Sequence, residues 1–166
     1  TQVDRVIPKF EEFMHAFPTI AVLAQATFPE VLAHWSGLGY NRRALWLHES
    51  AKKIMSDHGG IIPADVESLC ALNGIGPNTA CAICVYAFEQ PHVFIETNIR
   101  TVFIHEFFHD RDDVHDYEIR ELVEQTLDTK HPRVWYWAVM DYGTSLKKSQ
   151  INPSRRSAHH TVQSRF

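Results

Sequence analysis

Apolar positions recur at helical spacing along almost the whole chain. In "PKFEEFMHAF" Phe10, Phe13, Met14 and Phe17 share one side of a helix, and Pro8 is read as its opening residue. "TIAVLAQA" and "PEVLAHW" follow as short helices. "NRRALWLHESAKKIMSDH" is a longer amphipathic helix. Its spacing of Leu45, His48, Lys52 and Met55 turns the basic groups outward, and Gly59 and Gly60 stop it. Asp65 is placed to cap "VESLCAL", and Pro77 takes the first position of "PNTACAICVYAF". After the turn "EQPH" come "ETNIRTVFIHEFF", "YEIRELVEQTLD" and "PRVWYWAVMDYGTSLKK". "HVFIE" could pass for a strand, but no alternating run of convincing length accompanies it. The pattern predicts an all-α fold. Two stretches escape it. "TQVDRVI" reads as the end of a helix whose start is absent, so the chain is expected to be a fragment. "SQINPSRRSAHHTVQSRF" is polar, basic and unpatterned, and reads as a tail.

With 166 residues, 45% of them hydrophobic, the chain can bury a core as one domain or two small ones. It has no run of about 18 apolar residues to span a membrane, and no secretion signal opens it. A net charge of −4 argues mildly against a nucleic-acid partner, but the distribution says more. Asp110 to Asp128 carries eight acidic and two basic residues, whereas Asp141 to Phe166 carries five basic residues against one acid. A protein that is acidic on average can still present one basic face.

The three cysteines, Cys70, Cys81 and Cys84, make no disulfide framework. Cys81 and Cys84 form a C-x-x-C, but inside an apolar helical run, where small buried thiols are favoured over a metal or redox pair. The eleven histidines are scattered without zinc-ligand spacing, so no metal site is expected.

"LNGIGPNTA", residues 72–80, concentrates the candidate chemistry. Gly74 and Gly76 permit backbone angles closed to other residues and leave no side chain between backbone and visitor. Pro77 starts the next helix, so N–H groups of the turn and of the helix start point outward together. That is an anion site made of backbone and helix dipole, suited to a nucleic-acid phosphate. Ile75 points the other way and pins the turn. The blander alternative is an αα-turn with a glycine cap.

This stretch resembles the helix-hairpin-helix (HhH-GPD) superfamily of base-excision DNA glycosylases, the group of endonuclease III and the A/G-mismatch adenine glycosylases. The resemblance extends to "TQVDRVIPKFEEFMHAFPTIAVLAQA", "VLAHWSGLGYNRRALWLHESAKKI", "VFIETNIRTVFI" and "WAVMDYGTSLKK", nearly the whole chain, and is strongest to the adenine glycosylase branch. It implies a monofunctional glycosylase that hydrolyses the N-glycosidic bond of a flipped base in duplex DNA. The alternative is a non-catalytic relative that recognises damaged or mismatched duplex. A third reading is a helical protein-interaction module. The expected architecture is two helical lobes, residues 1–92 and 93–166, with Glu96 lining a cleft where they meet. A monomer acting on duplex DNA in a nucleoid or nucleus is implied.

Breaking an N-glycosidic bond builds positive charge on the sugar, which a sheltered carboxylate stabilises. The resemblance puts Glu96 in the place of the family's aspartate, eighteen residues after Asn78 (96 − 78). The extra methylene moves the carboxylate by about 1 Å, a shift that can cost about 10²-fold in rate. Glu96 is therefore a shifted stabiliser, the mark of a changed reaction, or simply a helix cap. Asn78 stands where bifunctional relatives carry an attacking lysine, which implies little lyase activity. Asn98 corresponds to an asparagine that organises carboxylate and sugar. Tyr40 matches a wedging tyrosine, or is a surface-packed ring. Gly74, Ile75, Gly76, Asn78 and Thr79 would contact DNA, and Arg42 and Arg43 either reach phosphates or are a solvated helix start.

Two departures stand out. The general-acid glutamate of the adenine glycosylases would precede Thr1. The family's four-cysteine iron–sulfur loop would begin near Lys147, yet no cysteine follows Cys84, so no cluster is expected. Lys147, Lys148, Arg155, Arg156 and Arg165 are candidates to contact the DNA backbone instead. The resemblance also implies a monovalent cation on the hairpin's carbonyls.

Overall fold

The computed structural model describes the backbone of residues 3–160 and the side chains from residue 6 onward. The chain divides into two compact units, Thr1–Gly76 and Pro77–Phe166. Among the described residues every regular element is helical except one isolated bridge, Val114 with Ser157. "HVFIE" runs extended without pairing.

The first unit holds α1 (Val3–Ala16), α2 (Ile20–Gln25), α3 (Phe28–Trp35), α4 (Arg42–His58) and α5 (Val66–Cys70). Their starts follow capping chemistry. Thr19 Oγ1 accepts the Val22 N–H at 3.2 Å, the Thr27 N–H donates to Glu30 at 2.7 Å, and Asp65 accepts the Ser68 N–H at 2.8 Å. Gly59, at φ 60°, ends α4 in the left-handed conformation. α2 and α3 pack on α4, and α1 on α3, around Phe17, Leu23, Val31 and Ala51.

Two sequence expectations fail here. Pro8 lies inside α1 rather than opening it. The helix begins upstream, and the proline ring removes one N–H from its ladder. His48 faces inward, not outward: it is 2% exposed, its Nε2 lies 3.0 Å from the Ala26 carbonyl, and its ring stacks on Phe28. A waiting carbonyl compensates the burial of this polar ring.

The second unit holds α6 (Pro77–Phe88), α7 (Thr97–Phe107), α8 (Asp116–Thr126), α9 (Pro132–Ser149) and a 3-10 turn (Pro153–Arg156). α7 is central, packing on α9, α8 and the 3-10 turn. Ile99, Ile104 and Ile119 are fully buried in its core, each contributing about 1.5–3 kcal/mol. Cys84 and Val85 of α6 are fully buried, and Cys81 and Tyr86 pack on the same core. α6 therefore belongs with this unit, and the division falls at Gly76 rather than near residue 92. None of the three cysteines is in a disulfide.

Residues 150–158 are not a loose tail. Pro153, Ser154 and Ser157 are buried. Asn152 Oδ1 accepts from Thr101 Oγ1 and the Ser154 N–H, both at 3.0 Å. Val114 exchanges backbone bonds with the segment, donating to Arg156 at 3.0 Å and accepting from Ala158 at 2.9 Å. The polar composition hides this packing because it works through hydrogen bonds rather than an apolar stripe. Arg165 lies outside the described residues.

Candidate functional site

In the first unit the candidate residues sit on two tight turns joined by α4. The turn "SGLGY" needs unusual backbone: Gly37 has φ 90°, Gly39 φ 70° and Tyr40 φ 52°. Left-handed angles cost an L-residue strain, so Tyr40 must be held there. Its ring is 68% exposed. The Arg43 guanidinium lies 5.3 Å from that ring and 5.6 Å from the Trp35 ring.

The second turn is "LNGIG". Gly74, at φ 76°, is pressed on Trp46: a Cβ there would lie 2.3 Å from the indole. Gly76 differs from what the sequence implied. Its φ is ordinary and a Cβ would meet nothing within 4 Å, so it leaves space rather than supplying a special angle. The Ile75 N–H turns inward to the Leu72 carbonyl at 3.3 Å, whereas those of Gly74 and Gly76 donate to no backbone carbonyl among the described residues. These are the donors an anion site requires.

One stripe of α4 holds this turn. Trp46 underlies Gly74, Glu49 accepts from Asn73 Nδ2 at 2.6 Å, Ser50 donates to the Asn73 carbonyl at 3.4 Å, and Lys53 donates to the Ala71 carbonyl at 2.9 Å. Helical spacing puts these side chains on one face. Arg42, 5.8 Å from the Trp46 ring, stands on the same indole. The stripe escaped notice in the sequence, where Trp46 reads as an ordinary apolar position.

In the second unit Glu96 caps α7. Its Oε1 accepts the N–H groups of Asn98 at 2.6 Å and Ile99 at 3.1 Å. No donor among the described residues reaches Oε2, and the side chain is half-buried. The carboxylate is thus anchored by one oxygen at the positive end of a helix, with the other available. Asn78, in the first turn of α6, donates from Nδ2 to the Ile95 carbonyl at 3.2 Å, next to Glu96 in the chain. Asn98 donates from Nδ2 to Met140 Sδ at 3.7 Å, while its buried Oδ1 has no partner among the described residues. Asn78, Glu96 and Asn98 are therefore brought together. Thr79 is exposed one position beyond Asn78.

The support for this trio comes from α9. Tyr136 is fully buried, stacks on Phe94 at 4.3 Å, accepts the Phe94 N–H and donates to the His92 carbonyl, both at 3.2 Å. Burial pushes its hydroxyl up to about 12, so it stays protonated and donating. Gly143 lets α9 approach α7 directly, since a Cβ there would lie 2.6 Å from the Asn98 carbonyl oxygen. A glycine within a helical pattern signals such an approach, and the sequence reading passed over it. One turn beyond Glu96, Arg100 forms a two-pronged pair with Asp116 at 2.7 and 2.6 Å. The bond to Asp116 raises the guanidinium's pKa, and the Glu96 charge adds to this. Burial pushes the Asp116 carboxyl up, but its bond to Arg100 and that cation's charge outweigh this and hold it below the ordinary value. Burial, then the Glu96 charge, raises Tyr86.

The basic residues of the C-terminal stretch lie elsewhere. Arg156 is a correction: its guanidinium bonds the carbonyls of Ile104, Phe108, His109 and Arg111 at the C-terminal end of α7, opposite to Glu96. The Ile104 and Phe108 carbonyls also accept the backbone N–H groups of Phe108 and Arg111, both at 3.3 Å, and the planar fork supplies further donors where the helix ladder ends. Arg155 remains exposed. Lys147 and Lys148 fall in the last turn of α9, where the helix dipole favours cations. Among the described residues no group of three His, Cys, Asp or Glu is placed to hold a metal ion. With three cysteines in the chain and none beyond Cys84, the donor set does not fit a four-thiolate iron–sulfur cluster. No helix among the described residues is long and apolar enough to cross a membrane.

Comparison with known proteins adds the following. A family model described as HhH-GPD superfamily base excision DNA repair protein matches residues 1–127. An adenine DNA glycosylase of Mycolicibacterium smegmatis is 40% identical over 102 residues, covering 61% of this chain and 35% of its own length. One from Rattus norvegicus is 32% identical over 164 residues, covering 96% of this chain and 31% of its own length. The chain spans about a third of the curated relatives it matches. Among solved structures, a thermostable thymine-DNA glycosylase superposes with TM-score 0.73 at 22% identity, over 86% of this chain and 67% of that one. A non-covalent endonuclease III–DNA complex gives 0.72 at 16%, over 90% and 76%. These structural likenesses establish the all-α glycosylase fold.

Proposed function

We propose that this chain, which belongs to the HhH-GPD superfamily of base excision DNA repair proteins, hydrolyses the N-glycosidic bond of a base turned out of duplex DNA. The observation that carries this reading is Glu96, anchored through Oε1 on the α7 amides while Oε2 has no partner among the described residues. As the bond from sugar to base breaks, the electron pair leaves with the base and positive charge grows on the sugar. A fixed carboxylate oxygen stabilises that charge without reorganising. Water then adds to the sugar carbon, and its released proton balances the one the base takes up. Asn78 has no amine with which to form a Schiff base, so base removal proceeds without lyase chemistry. Asn98, whose buried oxygen has no partner among the described residues, orders the groups around Glu96. The amides of Gly74 and Gly76 hold a strand phosphate, Thr79 meets DNA from the start of α6, and Tyr40 fills the gap left by the base.

Similarity to adenine DNA glycosylases favours adenine as the base removed, by a monomer that carries no iron–sulfur cluster. A monovalent cation at the hairpin's carbonyls is part of the same reading.

Glu96→Gln is the decisive variant. The amide oxygen still caps α7 but the charge is gone, so stability should hold while base release falls about 10²–10³-fold. The measurement is single-turnover release of free base from mismatch and lesion duplexes by the full-length protein. Unchanged turnover in the variant ends the proposal. Binding without base release on a broad lesion panel would make the chain a non-catalytic damage binder.

A further inference from the structure

We propose that Arg43 is a positioning residue for Tyr40 rather than a phosphate contact, which deepens the base-extrusion reading above and rests on it. Four contacts converge on its guanidinium, three from the turn it follows and one from Trp35 at the end of α3. The Trp35 and Tyr40 rings lie 5.6 and 5.3 Å away, and Nη2 reaches the Leu38 and Gly39 carbonyls at 3.4 and 3.5 Å. Trp35 Nε1 donates to the same Gly39 oxygen at 3.0 Å, and the Arg43 N–H donates to the Tyr40 carbonyl at 2.8 Å. The stack therefore ties the first residue of the turn's chemistry, Trp35, to its last, Tyr40.

The need for such a clamp is visible in the backbone. Gly37 and Gly39 make the turn pliable, and Tyr40 stands at φ 52° without being glycine. A wedge that enters duplex DNA from a pliable turn loses conformational freedom on insertion, and ordering it beforehand removes that cost. A planar cation between two rings, with carbonyls at its edge, does this ordering. The same geometry competes with a phosphate for the guanidinium. Arg42, on the Trp46 ring at the hairpin, carries no carbonyl bond of this kind among the described residues and is the better phosphate candidate.

The experiment compares wild-type full-length protein with Arg43→Ala, Arg43→Lys, Tyr40→Ala and the Arg43→Ala/Tyr40→Ala double variant. Hydrogen exchange of residues 36–41 is measured without DNA. Fluorescence of 2-aminopurine in a duplex reports base extrusion, and affinity is followed against salt. We expect exchange in the turn to rise about tenfold in Arg43→Ala while the α4 core is unchanged. Extrusion should fall about tenfold, to the Tyr40→Ala level, with no further loss in the double variant. Arg43→Lys, which keeps the charge but not the planar fork, should behave like Arg43→Ala and is the arm least prone to unfolding. The salt slope should stay at the wild-type value. A slope shallower by about 0.9 in Arg43→Ala would identify a phosphate contact and overturn the proposal. So would unchanged exchange, wild-type extrusion in Arg43→Lys, or additive losses in the double variant. Wild-type protein that binds DNA but extrudes nothing would sink the glycosylase function instead, and the exchange arm would still decide Arg43.

Discussion

The two groups of candidate residues, one in each unit, are built in opposite ways. In the first unit Tyr40, Gly74 and Gly76 are exposed on glycine turns, held from below by α4 side chains such as Trp46 and Arg43. In the second, Glu96 and Asn98 open a helix whose Ile99, Thr101 and Ile104 are fully buried, and Tyr136 and Gly143 of α9 hold it in place. The first is an adaptable surface set by local conformation. The second is a reacting group set by the core. Changes at the exposed faces of the first should therefore show mainly in DNA binding, with a stability cost where a glycine is pressed on α4. Changes that part α7 from α9 in the second should show in stability and turnover together.

Gly143→Ala should be the most severe test of this contrast. Its Cβ would lie 2.6 Å from the Asn98 carbonyl oxygen, so α7 and α9 must part, at about 3 kcal/mol in a denaturant titration. Turnover should drop with it. A near-neutral outcome would mean that α9 does not seat the trio.

Gly74→Ala comes next, at about 2–3 kcal/mol, because the new methyl meets Trp46 and the left-handed angle. In a Trp46→Ala background only the backbone strain should remain, about 1 kcal/mol. Equal costs in both backgrounds would remove the indole from the account. Gly76→Ala is the control on the same turn.

Asp116→Asn should cost about 1–2 kcal/mol at neutral pH by leaving Arg100 with a neutral partner. Since the folded carboxyl titrates below its ordinary 3.8, the pair's contribution is fully present above that pH and fades as pH falls through the folded value. Wild type and variant should therefore converge in acid, as urea midpoints measured from pH 7 to pH 2 would reveal. A gap that stays constant with pH would show that the pair is not the source.

The smallest effect on stability belongs to Gly76→Ala, within about 0.5 kcal/mol, because its Cβ enters open space. Duplex affinity should nevertheless weaken, as the methyl stands where a strand would approach. Unaltered affinity would take Gly76 out of the interface.

What could be read from the chain in advance was local. Helix starts at Asp65 and Pro77, the stop at Gly59 and the turn at "LNGIG" depend on neighbours a few residues away, and the structure has them there. The cap position of Glu96 was legible in "ETNIR", and its match to the family's carboxylate came from the resemblance rather than from the residues themselves. The misses share a cause, which is a partner far along the chain. His48 faces inward because Ala26 offers a carbonyl, Arg156 turns to the end of α7, and Gly143 is a glycine because Asn98 passes over it. Pro8 is the exception: a local rule placed it at a helix start, and the helix began earlier.

The strap formed by Asn152, Ser154 and Arg156 over α7 has a consequence for how this protein matures. Its Asn152 amide and Arg156 guanidinium, and the Thr101 hydroxyl of α7 that donates to Asn152, arrive with the polypeptide itself. The strap closes on hydrogen bonds of the chain itself, with no inorganic guest to be delivered and no thiol to be kept reduced. Neither loss of a metal nor an oxidant acts on an amide, a hydroxyl or a guanidinium, so the contacts of this clasp depend on neither.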